Sequence, residues 1–242
     1  MSGTGKTAII TGASSGIGRH TAIALLNEHW NVVVTARRLE ALQETQNLSS
    51  NPGDCLCVAG EITDENFVKG LFSQTINKFG RLDLLFNNAG ISSAQVPIDE
   101  LSLETFQNVL NVNLVGPFIC TREAVKQFKA QSPPGGRVIN NGSLSAHVPR
   151  PFSYSYTTSK HALTGLTKCT SLDGRAHNIA CTQIDIGNAA TDMGGRHGTV
   201  GALQPDGRMI KEGVLDVKHV ASTIVHIASL PPDVTVLEVN VM

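Results

Sequence analysis

Apolar residues in this chain fall into short runs separated by stretches with helical spacing, and that alternation predicts its architecture. Ala8-Ile9-Ile10, Asn31–Thr35 (NVVVT), Cys55–Ala59, Leu82–Phe86 (LDLLF), Arg137–Asn140 (RVIN), Ile179–Ile184 and Val234–Val241 are each of strand length. NVVVT, β-branched at four of its five positions, is the kind of run that a parallel strand buried on both faces requires. Between the runs the pattern predicts helices over 19–28, 39–48, 101–130, 154–172 and 217–230. A further helix runs to Phe79, capped by Thr63 or Asp64, and Ser102 is the expected cap of the long one. That long helix is broken at Gly116-Pro117, since proline has no N–H and crowds the carbonyl four residues back, here that of Asn113. Strands alternating with helices over 242 residues predict one α/β domain, doubly wound around a parallel sheet and spanning 1–242. Residues 192–213 hold six glycines and no periodicity, and their position predicts a lid over a substrate.

Composition narrows the classes of function. With 41% hydrophobic residues but only 5% aromatics, aliphatic side chains must fill the core. Lys plus Arg (19) nearly balances Asp plus Glu (20), so neither a nucleic-acid face nor a membrane-binding patch is expected. Five cysteines, without a CxxC pair, suggest reduced thiols, and the eight histidines show no metal spacing. The first residues run straight into a strand and no apolar run has the length of a membrane span, so a cytoplasmic protein is expected.

The chemistry begins at Thr11–Gly18 (TGASSGIG), where a strand turns through Gly12, Gly16 and Gly18 into a helix. Glycine lets the backbone approach a pyrophosphate closely, and the helix N-terminus attracts its charge. Ser14, Ser15 and Ile17 complete this cradle. Ser2–Thr7 (SGTGKT) imitates a nucleoside-triphosphate loop, but the pattern would need a glycine before Met1 and a preceding strand. About twenty residues beyond its glycines a dinucleotide fold carries an acid when it binds the ribose hydroxyls of NAD. Here Arg37-Arg38 stands instead, and two guanidiniums suit the 2′-phosphate of NADP(H). Asn87-Asn88-Ala89-Gly90 follows the fourth strand, where ligands of open α/β sheets sit.

TGASSGIG followed by NNAG resembles the short-chain dehydrogenase/reductase family, single-domain Rossmann proteins that move hydride between NAD(P) and an alcohol or carbonyl. The resemblance implies that Asn88, Ala89 and Gly90 border the adenine-side ribose, with Glu61-Ile62 near the adenine. Glu61 replaces the aspartate of many members. Ile186-Gly187-Asn188-Ala189-Ala190-Thr191 matches the segment that contacts nicotinamide, with Ile186 in place of the usual proline and Gly187, Ala189 and Thr191 as the contacts. Asn113 falls on the family's asparagine, which helps position a water linking the active-site lysine to solvent.

Ser143 leaves the fifth strand, Tyr156 follows thirteen positions later, and Lys160 four after that. Residues i and i+4 share a helix face, and a neighbouring cation favours the phenolate, so Lys160 is expected to lower the Tyr156 pKa. Tyr154, the rival phenol, has Thr158 at that spacing. The reading is an NADP(H)-dependent carbonyl reductase or alcohol dehydrogenase on a small-molecule substrate. Asn113, Ser143, Tyr156 and Lys160 are its catalytic residues, and Tyr156 and Lys160 also hold the cofactor. Alternatives are a 3-oxoacyl thioester reductase of the same family or an idle NADP-binding protein acting through a partner. The family's habit of pairing helices across a two-fold axis implies a homodimer or homotetramer, with Phe106, Leu110, Phe118, Leu163 and Leu166 as contact candidates.

Overall fold

A computed structural model describes residues 5–191 and 193–242. Ser2 to Thr4 of the imitation triphosphate loop, and Asp192 of the anticipated lid, lie outside the described residues. In chain order the elements are β1 (Thr7–Thr11), α1 (Gly16–Asn27), β2 (Asn31–Ala36), α2 (Leu39–Asn47), β3 (Cys55–Ala59), α3 (Glu65–Phe79) and β4 (Leu84–Asn87). There follow α4 (Leu103–Leu110), α5 (Gly116–Ala130), β5 (Gly136–Asn141), α6 (Tyr154–Gly174) and β6 (Ile179–Ile186). The chain closes with α7 (Arg196–Thr199), a short hairpin of β7 (Ala202–Leu203) and β8 (Met209–Ile210), α8 (Val217–Ser229) and β9 (Glu238–Val241).

Seven strands form one parallel sheet in the order β3-β2-β1-β4-β5-β6-β9. The order reverses between β1 and β4, and the crevice at that switch point is where such sheets bind ligands. Strand alternation sends Ala8, Ile10, Val32, Val34 and Phe86 to one face, under α1, α2 and α8. It sends Ile9, Val33, Leu85 and Val138 to the other, under α3 and α5. Both faces are therefore dry, as the unbroken apolar runs require.

Asp64 caps α3 by accepting from the Asn66 and Phe67 N–H groups, and Ser102 caps α4 through the Thr105 N–H. The long helix is interrupted just ahead of Gly116-Pro117, by a π turn over Asn111–Val115 whose Gly116 N–H reaches back to Asn111 O. Gly116 has a packing cause as well, since a Cβ there would stand 2.5 Å from Ile62 Cδ1. β6 runs on to Ile186, which pairs with Val241, and the bond there is donated by the Gly187 N–H to Val241 O at 2.9 Å. The last strand is shorter than the sequence pattern predicts and begins at Glu238. Leu163, an expected intersubunit contact, is 1% exposed and packs inward, while Phe118 is 48% exposed. All five cysteines are unpaired. Among the described residues no helix is long and apolar enough to cross a membrane.

Candidate active site

A cleft of about 1550 Å³ opens along the carboxyl ends of the strands. At one end lies the glycine turn. Gly12 and Gly16 adopt φ of +65° and +53°, a region that favours glycine. A Cβ on Gly12 would stand 2.7 Å from Ala89 Cα, and one on Gly16 would meet Thr191 at 3.2 Å across the cleft. Ser15 precedes α1 with no side-chain cap bond, so the first N–H groups of that helix lack the side-chain partner that Asp64 gives α3. This backbone, narrow and rich in free donors, fits a dinucleotide pyrophosphate. Arg37 and Arg38 line the cleft, exposed, and their guanidiniums make no hydrogen bond or ion pair to a described residue. Glu61 and Ile62 lie beside them.

Gly18 stands back from the cleft wall. A Cβ on it would come within 2.5 Å of both Asn88 Nδ2 and Gly12 O, so this glycine lets α1 close on the sheet. The Asn88 side chain is spent on bracing: it donates to Thr11 O (2.9 Å) and Gly12 O (3.2 Å) and accepts from Asn141 Nδ2 (2.9 Å). The ends of β1, β4 and β5 are thereby tied together around the turn.

Farther in, β5 ends at Asn141 and delivers Ser143, while the first turns of α6 deliver Tyr156 and Lys160. Ser143 and Tyr156 meet on the cleft wall, with the Ser143 hydroxyl close enough to act on the phenol. Lys160 Nζ sits 5.4 Å from the centre of the Tyr156 ring and donates to Asn141 O at 2.6 Å. Burial pulls the Lys160 pKa down from 10.5 to about 8, against the Asp185 charge, which raises it. The expected lowering of the Tyr156 pKa is absent. Burial pushes that phenol up and the Asp185 charge adds to the rise, while the hydrogen bond from Ser143 opposes it. The physical reason is that the phenol is buried, and desolvation of its phenolate outweighs the other influences on it. Asn113 is 1% exposed and also off the cleft wall. Its amide accepts from Ile91 N–H (2.8 Å) and donates to Ile91 O (2.9 Å) and Ser159 Oγ (3.1 Å), joining the loop after β4 to α6.

Residues 6–199 match the family model described as short chain dehydrogenase. The chain belongs to the short-chain dehydrogenase family. It is thus an oxidoreductase by family, with the Rossmann-like sheet that the family's structures share. It is 36% identical over 191 residues to the short chain dehydrogenase/reductase astE of Aspergillus oryzae, covering 78% of this chain and 73% of that one. It is 31% identical over 192 residues to a 3-oxoacyl-[acyl-carrier-protein] reductase of Synechocystis, covering 78% and 76%. In fold it superposes with a TM-score of 0.86 on a 3-ketoacyl-(acyl-carrier-protein) reductase from Brucella melitensis crystallised with NADH. That likeness spans 98% of this chain and 97% of the other at 24% identity.

Ile186, Gly187, Ala189 and Thr191 line the cleft, with Thr191 facing Gly16 of the glycine turn. Beyond them the segment anticipated as a lid folds as α7 and the β7–β8 hairpin, and Met193, Val200, Met209 and Val214 wall the cleft. It is fastened to the body by Arg150, whose guanidinium donates to both Glu212 oxygens, at 2.9 and 2.6 Å. Asn188 Nδ2 adds a 2.7 Å bond, and chiefly because of Arg150 the Glu212 carboxyl titrates at about 2. Sequence reading missed this fastening, because an ion pair 62 positions apart leaves no local pattern. It also missed Asp185, although a lone acid inside the apolar run 179–186 is a legible signal.

Proposed function

We propose that this chain is an NADP(H)-dependent reductase of small carbonyl compounds, able to run in reverse as an alcohol dehydrogenase. The observation that carries the reading is the meeting of Ser143, Tyr156 and Lys160 in one cleft with the glycine turn. A nicotinamide cofactor bound there would supply hydride to the carbonyl carbon of a substrate already held in the cleft. The Ser143 hydroxyl binds the substrate oxygen, and Tyr156 gives that oxygen its proton, so carbonyl, hydride and proton make the alcohol. Lys160, anchored on Asn141 O, is placed to hold the nicotinamide ribose hydroxyls. Asn113 fixes the loop after β4 against α6. Arg37, with Arg38, pairs with the 2′-phosphate, which these two unengaged guanidiniums fit better than an acid would.

The 31% identity to the Synechocystis enzyme supports a 3-oxoacyl thioester as a second substrate class for the same site. The test compares NADPH and NADH oxidation against ketones, aldehydes and 3-oxoacyl thioesters. NADPH should be favoured by roughly ten- to thirty-fold in kcat/KM, the lower half of what a charge-assisted contact provides. Arg37→Ala should erase most of that preference, and Tyr156→Phe should abolish turnover while NADPH still binds. Equal efficiency with both cofactors overturns the cofactor assignment. Binding without turnover in the wild type leaves an NADP-binding protein that works through a partner.

A further inference from the structure

We propose that Glu212 is a specificity-determining residue: its carboxylate fills the place on Arg150 where a substrate anion would bind, and so restricts this cleft to uncharged carbonyl compounds with an apolar body. The proposal rests on the reductase reading for its chemistry, while the ion pair itself does not. Arg150 stands in the loop that joins Ser143 to α6, and it and Glu212 both line the cleft. The Arg150 N–H donates to Ser153 Oγ at 3.2 Å, and that oxygen lies 2.7 Å from Thr157 Oγ1, next in the chain to Tyr156. The guanidinium also reaches Asn188 Oδ1 at 3.4 Å, within the segment that the resemblance assigns to nicotinamide. Arg150 is thus set between α6 and that segment, which under the reductase reading is where the substrate lies.

A guanidinium is a fork that takes a carboxylate by two parallel bonds. Here both prongs are taken by the chain's own acid, Nη1 on Oε1 at 2.9 Å and Nη2 on Oε2 at 2.6 Å. Gln204 Nε2 adds a bond to Oε1 at 3.2 Å and Asn188 Nδ2 one to Oε2 at 2.7 Å, so each oxygen has two donors. The two side chains are 30% and 26% exposed, and water screens the pair only in part. A substrate acid would have to displace Glu212, which belongs to the same chain and so acts at high effective concentration. It would also meet the like charge of that carboxylate. Of the other charged groups on the described cleft wall, Lys160 is engaged by Asn141 O, and Arg37, Arg38 and Glu61 are assigned above to the adenosine side. The wall that residues 193–213 supply is otherwise rich in apolar side chains. Met193 and Met209 stand there with Val200 and Val214, and Met242, just past β9, also lines the cleft. Every methionine of the described residues is therefore on this wall. Methionine is flexible and polarizable, and it adapts to a bulky aliphatic body without fixing one shape.

The test is a homologous series of aliphatic oxo acids, each beside its methyl ester, reduced with NADPH. The wild type should favour the ester by about tenfold or more in kcat/KM. Glu212→Gln keeps the shape of the side chain and removes its charge, and should raise the acid-to-ester ratio by about tenfold. Adding Arg150→Gln to it should cancel that gain, because the receptor is gone. Arg150→Gln alone carries the test if Glu212→Gln does not fold: it leaves the Glu212 charge uncompensated and should lower the ratio by about threefold. A segment merely loosened by either variant slows acid and ester alike, so an unmoved ratio overturns the proposal. A wild type that reduces the acid as well as the ester overturns it too. Octanoate binding, followed by calorimetry with NADPH present, separates the proposal from the reading beneath it. Affinity that rises about tenfold in Glu212→Gln, in a protein that reduces none of these compounds, leaves the anion position intact and removes the reductase reading instead. Unchanged octanoate affinity in that variant overturns the proposal itself.

Discussion

Lys160 shows how a site residue acts against the fold that holds it. The residue is 5% exposed, and its pKa falls from 10.5 unfolded to about 8 in the folded chain. Below pH 8 both states carry the proton, and the cost of burying it is felt in full. Between about 8 and 10.5 the unfolded chain binds more protons than the folded one, so stability rises with pH as that cost is relieved. Tyr156, raised above 10, acts with the opposite sign at the alkaline edge. Lys160→Met removes a buried charge while keeping the length of the side chain. It should stabilise the cofactor-free protein by ~1–3 kcal/mol at pH 7, discounted for the lost bond to Asn141 O. That gain should shrink as pH climbs toward 10. Urea unfolding of both proteins at pH 7 and 10 checks it, and a variant less stable than the wild type at pH 7 would refute the account. Turnover should be lost at either pH.

Among the elements, those that depend on local pattern were legible in the sequence and those that depend on distant partners were not. β3 runs from Cys55 to Ala59 as the apolar run predicts, and Asp64 and Ser102 cap the helices they precede. The β7–β8 hairpin stayed hidden because its strands are two residues each and its fastening is the Arg150–Glu212 pair. Of the cleft, the glycine turn and the Ser143–Tyr156–Lys160 spacing could be read directly, whereas the bond from the Ser143 N–H to Asp185 needed the fold. The break in the long helix was legible as a cause, Pro117, but its form was not. The chain widens into a π turn over Asn111–Val115, and such turns recur at functional sites. Pro117 cannot donate to Asn113 O, four residues back, and we propose that this oxygen takes a water serving Lys160. Pro117→Ala restores a donor. We expect unchanged or slightly raised stability and unchanged NADPH affinity, with slower turnover and an altered pH profile. Turnover and pH profile matching the wild type would leave the proline a bend and nothing more.

At the scale of the molecule, the sheet and its helices bury nearly every aliphatic run, so the large apolar side chains left outside call for a partner. Leu103 on α4 is 68% exposed, Ile98 just before it 65%, and Phe118 on α5 48%. Ile98, Leu101, Leu103, Phe106 and Tyr154 line a groove of about 330 Å³ between α4 and α6. The groove and Phe118 lie on the helices that the family resemblance pairs across a two-fold axis. A two-fold axis lets one such patch cover its own copy. Leu163, buried within the protomer, cannot take part, and we propose Leu103 and Phe118 as the anchors. We therefore expect a homodimer or homotetramer, with a mass by light scattering at micromolar concentration that is two or four times 25.7 kDa. Leu103→Glu combined with Phe118→Glu places two charges in each half of the interface. It should release a folded monomer, because neither side chain supports the protomer's own core. A wild-type monomer at that concentration would end the assignment. A double variant that stays associated would move the interface to another face.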